Sequence, residues 1–316
     1  MADKKVIAVL GATGAQGGGL ARAILADESG EFAVRALTRK VDSDKAKALA
    51  ASGAEVVAAD LDDYESLKKA FAGAYGVFAV TNFWEHFSPE KETAQAGSIA
   101  KAAKETNVQH TIWSTLEDTR KWIPIDDNRM PTLGGKYKVP HFDSKGEADK
   151  HFIDLNLPVT LLLTSFYWEN FIYFGMGPKK GEDGKLALSM PLGDKKLTGM
   201  AVEDIGKSAY AIFKKGNEFI GKTVGISGDN LTGKEMADSF AKALGQDVVY
   251  NAVPFEVYRG LGFDGAEDLG NMFQFFHDFD EYFSGARSIE FTKSLNPSLQ
   301  NFNSWLEENK SKIPLE

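Results

Sequence analysis

VIAVLGATGAQGGGLARAIL, residues 6–25, sets an apolar run (Val6–Leu10) before a stretch with five glycines in nine residues (Gly11–Gly19). A helical repeat follows at Leu20, Ala21, Ile24 and Leu25. Glycine is the costliest residue to order, so such a density needs a reason. Gly11, Gly14 and Gly17 form GxxGxxG between a strand and a helix. In that setting Gly11 permits the tight turn, Gly14 lets backbone approach a diphosphate with no Cβ in the way, and Gly17 lets the helix pack closely on the strand. The helix N-terminus then presents free N–H groups and a positive dipole end to phosphates. Gly18 and Gly19 are read as packing residues. The reading is of a dinucleotide seat after the first strand.

Outward from this stretch the pattern alternates. FAVRALT is a second strand, DKAKALAASG a helix ended by Gly53, AEVVAAD a third strand, YESLKKAFAG a helix, and GVFAVTN a fourth strand. Ser88 and Pro89 cap a long helix whose inward stripe is Ala96, Ile99, Ala100 and Ala103. HTIWS is a fifth strand; a helix from about His141 to Asn156 and the strand PVTLLL continue the series. Such alternation predicts an α/β fold: a Rossmann doubly wound parallel sheet covered on both faces. Glu117–Pro140, with three prolines and Gly134–Gly135, reads as a long loop, a feature that is usually functional in a compact domain. Beyond Thr164 the sequence carries the aromatic run FYWENFIYFGMG, a strand and turn in KLALSMPLG, helices in VEDIGKSAYAIF and GKEMADSFAKALG, the strand KTVGIS, and a mainly helical end.

Composition bounds the function. The chain has 316 residues, 43% of them hydrophobic and 26% charged. It contains no apolar stretch of membrane-spanning length, and the start MADKKVIAVL is too short in apolar residues for a signal peptide. A cytoplasmic location is the expectation, with nuclear entry open to it. The net charge of −9, without a basic stripe, argues against direct nucleic-acid binding. With no cysteine, disulfides, thiolate nucleophiles and iron–sulfur clusters are excluded, and the five histidines show no metal-ligand spacing, so no metal is expected.

The nucleotide choice rests on the end of the second strand, ALTRK. Enzymes that use NAD place an acid there, and those that use NADP place a cation. Arg39 and Lys40 occupy that place, and a guanidinium can hold a 2′-phosphate through paired hydrogen bonds. The alternative is a pair of solvated surface cations. Asp60, ending the third strand, is either an adenine-side contact or a turn residue. GDNLTGKE (228–235) nearly matches a P-loop, but Glu235 replaces the Mg²⁺-binding hydroxyl, so Thr232 and Glu235 are read as a capping box.

The motifs VLGATGAQGGGLAR, VRALTR, VTNFWE, HFDSKGEAD, FYWENF, MAVEDIG and NMFQFF, in order over nearly the whole chain, resemble the NmrA-like family of atypical short-chain dehydrogenase/reductases. Within that family the likeness is to the NADPH-sensing HSCARG-like group. The resemblance implies a smaller, discontinuous α/β second domain over the nucleotide cleft. The boundaries expected are 1–160 with roughly 198–230 for the first domain, and roughly 161–197 with 231–316 for the second. It implies NADP(H) as cofactor, with contacts from Gly11, Ala12, Thr13, Gly14, Ala15 and Gln16. Further contacts would come from Arg39 and its neighbours, Asp60, Leu61, Thr81, Asn82, Phe83, Lys145, Tyr167, Trp168, Glu169 and Asn170. It implies either a redox sensor that reads the NADPH/NADP⁺ ratio, changes shape or oligomeric state (a homodimer among the options) and alters a regulatory protein partner, or an NADPH-dependent reductase of quinones or related enones.

Working dehydrogenases of this superfamily carry Tyr and Lys as YxxxK. Here Lys145 has His141 four residues before it, and the nearest tyrosine is Tyr137 in the loop. His141, Lys145, Ala148, Phe152 and Leu155 share one helical stripe, which turns Lys145 inward and suits a nicotinamide-ribose clamp or a general base. The alternative is that Lys145 snorkels outward from the helix start. His141 either replaces the missing tyrosine or packs. Ser114, at the end of the fifth strand, either polarises a substrate or caps the strand. The aromatics Phe83–Trp84 and Phe166–Phe171 are either core or the wall of a site for a planar ring.

Overall fold

The computed structural model describes residues 4–27, 30–181 and 184–315. In the N-terminal half, strands and helices alternate as the apolar pattern predicts. They are β1 (Lys5–Val9), α1 (Ala15–Ala26), β2 (Phe32–Thr38), α2 (Asp44–Ala51), β3 (Glu55–Ala58), α3 (Tyr64–Phe71), β4 (Gly76–Ala79), α4 (Pro89–Glu105), β5 (His110–Thr115), α5 (Pro140–Asp154) and β6 (Val159–Leu163). Caps set the helix starts. Ser43, Asp63 and Ser88 each accept a backbone N–H of the first turn of α2, α3 and α4, and Pro89 follows Ser88 in the first helical position.

The chain divides into two compact units. The first, Met1–Asp118 with His141–Thr164 and Glu203–Val224, holds a seven-stranded sheet in the order (Thr223–Gly225)-β6-β5-β4-β1-β2-β3. Pairings from β6 through β3 are all parallel. Chain order therefore reverses between β1 and β4, and the crevice beyond the carboxyl ends of those strands is where doubly wound sheets take ligands. The core packs Trp113, Phe152, Ala148 and Phe71 with the alanine-rich stripe of α4, where Ala96, Ile99, Ala100 and Ala103 are fully buried. Small side chains there let α4 lie close to the sheet.

The second unit comprises Thr119–Pro140, Ser165–Val202 and Gly225–Glu316. Lys196–Met200 lies between an antiparallel Asp229–Thr232 and a parallel Phe166–Tyr167; a second sheet joins Val248–Ala252, Leu186–Met190 and Lys179–Lys180. Thr119–Pro140 clusters with this unit rather than with the first, to which its place in the sequence had assigned it. The reason lies in NMFQFF: on the helix Ala266–Asp278, Asn271 donates to the carbonyls of Pro131 and Lys138 (3.0 and 2.6 Å) and Gln274 to that of Arg129 (2.8 Å). Lys138, fully buried, donates to the carbonyls of Asp127 and Met130 (2.6 and 2.8 Å). Buried backbone acceptors of a long loop need such donors, and three side chains supply them. Among the described residues no helix is long and apolar enough to cross a membrane.

Candidate functional site

The glycine turn sits at the sheet's switch point. Gly11 has φ +61°, the left-handed region that favours glycine, and the N–H of Gly14 closes the turn on its carbonyl at 2.8 Å. A Cβ at Gly17 would lie 2.4 Å from the Leu10 carbonyl oxygen and 2.5 Å from that of Gly11, so this glycine is required by the approach of α1 to β1. Gly14, Ala15 and Gly11 are exposed, Thr13 is half-buried, and Ala12 and Gln16 are buried. Helix α1 has no side-chain cap and no acidic residue in its first turn. An uncapped helix start of this kind presents backbone N–H groups and the positive end of the helix dipole. Gly18 and Gly19 lie on the buried face; Gly19 meets Gly206 of the helix Val202–Lys214, where a Cβ would fall 2.1 Å from the Gly19 carbonyl carbon.

At the end of β2, Arg39 is exposed and paired with an acid. Its guanidinium forks onto Glu85, with Nη1 to Oε1 at 2.5 Å and Nη2 to Oε2 at 3.1 Å. Hydrogen bonding to Glu85 raises the Arg39 pKa, with smaller contributions from Glu85, Asp60 and Asp62 charge. Lys40 is exposed beside it. Asp60 adopts the turn role: its carboxylate accepts from the Asp62 N–H at 3.0 Å, and its backbone exchanges hydrogen bonds with Ser66 Oγ. Leu61 packs against the core of the unit.

Beyond β4, a buried polar triangle forms. Lys145 Nζ lies 2.7 Å from Glu92 Oε1 and donates to Thr81 Oγ1 at 2.8 Å, while the Thr81 hydroxyl donates to Glu92 Oε1 at 2.6 Å. Glu92 is fully buried, Thr81 is 6% exposed and Lys145 9%. Lys145 therefore points inward on the stripe shared with Ala148 and Phe152, and its ammonium stands 5.1 Å over the Trp113 ring. His86 accepts the Ser88 N–H on Nδ1 at 3.1 Å, which leaves Nε2 as the protonated nitrogen of the neutral ring. That nitrogen lies 3.6 Å from Glu92 Oε2.

His141 packs against three aromatic rings: it lies tilted against Trp84 at 4.7 Å, 4.9 Å from Phe142 and 6.0 Å from Phe83. Phe83, Trp84 and Glu85 form a single 3₁₀ turn that starts after the exposed Asn82. Phe87 follows with φ +52°, uncommon for a bulky residue, and 45% exposed. Ser114 is buried near the carboxyl end of β5, paired in register with Leu162. Its neighbours Trp113 and Thr115 both donate to Asp149 of α5 (2.9 and 2.6 Å), which anchors α5 across the sheet.

In the second unit, Phe166, Trp168 and Phe171 are buried with Phe240, Phe302 and Trp305, so these aromatics are core. Glu169 accepts from Trp305 Nε1 and from the Val202 N–H, each at 3.0 Å. Tyr167 ends a short strand, and Asn170 opens the four-residue helix Asn170–Tyr173. Tyr137 lies in the clamped loop, where the Arg120 guanidinium covers its ring at 5.3 Å. The P-loop look-alike is a capping box: Thr232 Oγ1 accepts the Glu235 N–H and Glu235 accepts the Thr232 N–H. The Thr232 backbone N–H holds the Glu235 carboxyl below its usual range.

Three residues with a place in the site were missed in the sequence: Glu92, Glu85 and Trp113. Glu92 carried a readable signal. It precedes Ala96, Ile99 and Ala103 by the same four–three–four spacing, so a carboxylate sits on an apolar stripe and must have a buried partner. Glu85 and Trp113 had no such signal.

Strand order, the glycine turn at the switch point and the uncapped helix N-terminus define a doubly wound, Rossmann-type α/β protein. The chain belongs to the NmrA-like family, whose model matches residues 3–306. An NmrA-like family domain-containing protein of Dictyostelium discoideum is 30% identical over 297 residues, covering 91% of this chain and 92% of its own length. The NmrA-like family domain-containing oxidoreductase FrzB of a Cladobotryum species is 29% identical over 291 residues, covering 85% and 83%. Among solved structures, NmrA, a negative transcriptional regulator crystallised with NADP, superposes with a TM-score of 0.78 at 23% identity, covering 97% of this chain and 95% of that one.

Proposed function

We propose that this protein binds NADP(H) and acts as a redox-responsive regulator, reading the NADPH/NADP⁺ ratio for a protein partner. The residues fit a dinucleotide. The uncapped turn from Gly11 to Gln16 would seat the diphosphate, Arg39 with Lys40 the 2′-phosphate, and Lys145 with Thr81 the nicotinamide ribose; Asp60, Leu61, Asn82 and Phe83 of the same unit would complete its contacts. Bound NADPH supplies a transferable hydride. The chain's own residues would bind and orient it.

The observation that carries this reading is the closed triangle of Lys145, Glu92 and Thr81. A lysine held by a buried carboxylate and a threonine hydroxyl is fixed in one position, as a ribose clamp requires. The YxxxK tyrosine position is taken by His141, packed among three aromatic rings. The test is absorbance at 340 nm with NADPH and a panel of quinones and enones. Binding without sustained turnover is the expected result; multi-turnover oxidation would replace the regulator by a reductase. That second reading draws on the oxidoreductase name of the Cladobotryum relative and on the exposed aromatic Phe87 beside Trp84, which offers a surface for a planar substrate.

A further inference from the structure

NAD-using Rossmann proteins carry their ribose-binding acid at the end of β2, where this chain has Arg39. The acid is nevertheless present: Glu85 arrives at the same edge from the 3₁₀ turn after β4, forty-six residues further along the chain, and takes both arms of the Arg39 fork. Both side chains are about half exposed, so the pair is open to exchange with a ligand and not locked into the core. A carboxylate and a phosphate compete for one guanidinium through the same bidentate geometry.

From this we infer that Glu85 is the nucleotide-selecting residue of the site. It is an internal anion that occupies Arg39 until a 2′-phosphate displaces it, and it is an acceptor for the ribose hydroxyls when the nucleotide carries no such phosphate. The inference rests on the NADP(H) reading of the crevice. Its physical content is a pair of opposite effects. Against NADPH, Glu85 is both competitor and like-charged neighbour, so it weakens binding. Towards NADH, it is the one acid at the end of β2 that forks with Arg39, so it strengthens binding. The selectivity of the site is then set by two residues of opposite sign, and Arg39 alone does not determine it. Because Glu85 shares its turn with Phe83 and Trp84, releasing it also frees one end of the aromatic segment.

The experiment is calorimetric titration of the full chain and of Glu85→Gln with NADPH, NADH, 2′,5′-ADP and 5′-ADP. Glutamine keeps the size and removes the charge. NADPH and 2′,5′-ADP are expected to bind the variant about fivefold more tightly, and NADH and 5′-ADP about fivefold more weakly, the scale of one exposed ion pair. Equal shifts for phosphorylated and unphosphorylated ligands, or no shift, would overturn the role of Glu85 while leaving the NADP(H) reading intact. Failure of the unaltered chain to bind any of the four would overturn both. The Trp84 part of the tryptophan fluorescence, taken as the difference from Trp84→Phe in the same titrations, is expected to change with 2′,5′-ADP and to stay flat with 5′-ADP; identical responses would refute displacement of Glu85.

Discussion

Lys145 and Glu92 meet at 2.7 Å inside the first unit, one from α5 and the other from α4, with the Thr81 hydroxyl bridging them. Two charges removed from water at that depth are tolerated only as a pair. Glu92→Gln or Lys145→Met alone should therefore cost about 3–5 kcal/mol in urea unfolding, because each strands the other's charge. The double variant should recover most of that loss. A single variant within about 1 kcal/mol of the parent would contradict a charged pair.

Two glycines of the turn separate binding from folding. Gly17→Ala drives a methyl into the Leu10 and Gly11 carbonyls and should cost about 1–3 kcal/mol of stability. At Gly14 the backbone is extended and a Cβ would lie 3.2 Å from the nearest oxygen, so Gly14→Val should fold. Its branched side chain would fill the diphosphate seat, and calorimetry should find neither NADPH nor NADH bound. Normal affinity in that variant would refute the seat.

Arg39→Ala should weaken NADPH by roughly tenfold or more, the scale of a charge-assisted bidentate contact, and NADH much less. Parallel losses for the two nucleotides, measured side by side, would remove the 2′-phosphate role from this residue.

His110 is a buried titration site in the core of the sheet. The Thr160 hydroxyl donates to the Phe219 carbonyl, so His110 Nε2 must donate to Thr160 (2.8 Å), and Nδ1 is buried with no hydrogen-bond partner. Burial lowers its pKa from 6.5 to about 4. The unfolded chain thus takes up a proton near pH 6.5 that the folded chain refuses until about pH 4. The stability contribution is fully present above pH 6.5 and is lost as pH falls towards 4, by about 3 kcal/mol at most. His110→Gln should flatten that part of the urea-stability profile; an unchanged slope between pH 6.5 and 4.5 would show that other groups carry it.

Much of this was legible in the sequence. Alternating apolar periods, the cap at Ser88 and the Thr232–Glu235 box are local signals, and each produced the element expected of it. The strand Val248–Ala252 escaped notice because only Val248 is buried and most of its residues are exposed, so it carries no apolar run. The stripes of α5 and α4 point Lys145 and Glu92 inward, but nothing local says that the two meet.

The sequence by itself determined the alternating α/β architecture and the glycine turn, because hydrophobic period and backbone freedom act within a few residues. Tertiary structure alone decided that Arg39 closes on Glu85, that Glu92 neutralises Lys145, and that Asn271, Gln274 and Lys138 clamp the long loop. Apart from the Lys138 bonds, which close within the loop, each of those pairings joins chain segments separated by other elements. Charge complementarity acts through space, and only the packed sheet and helices set which opposite charges and which buried carbonyls come within hydrogen-bond reach.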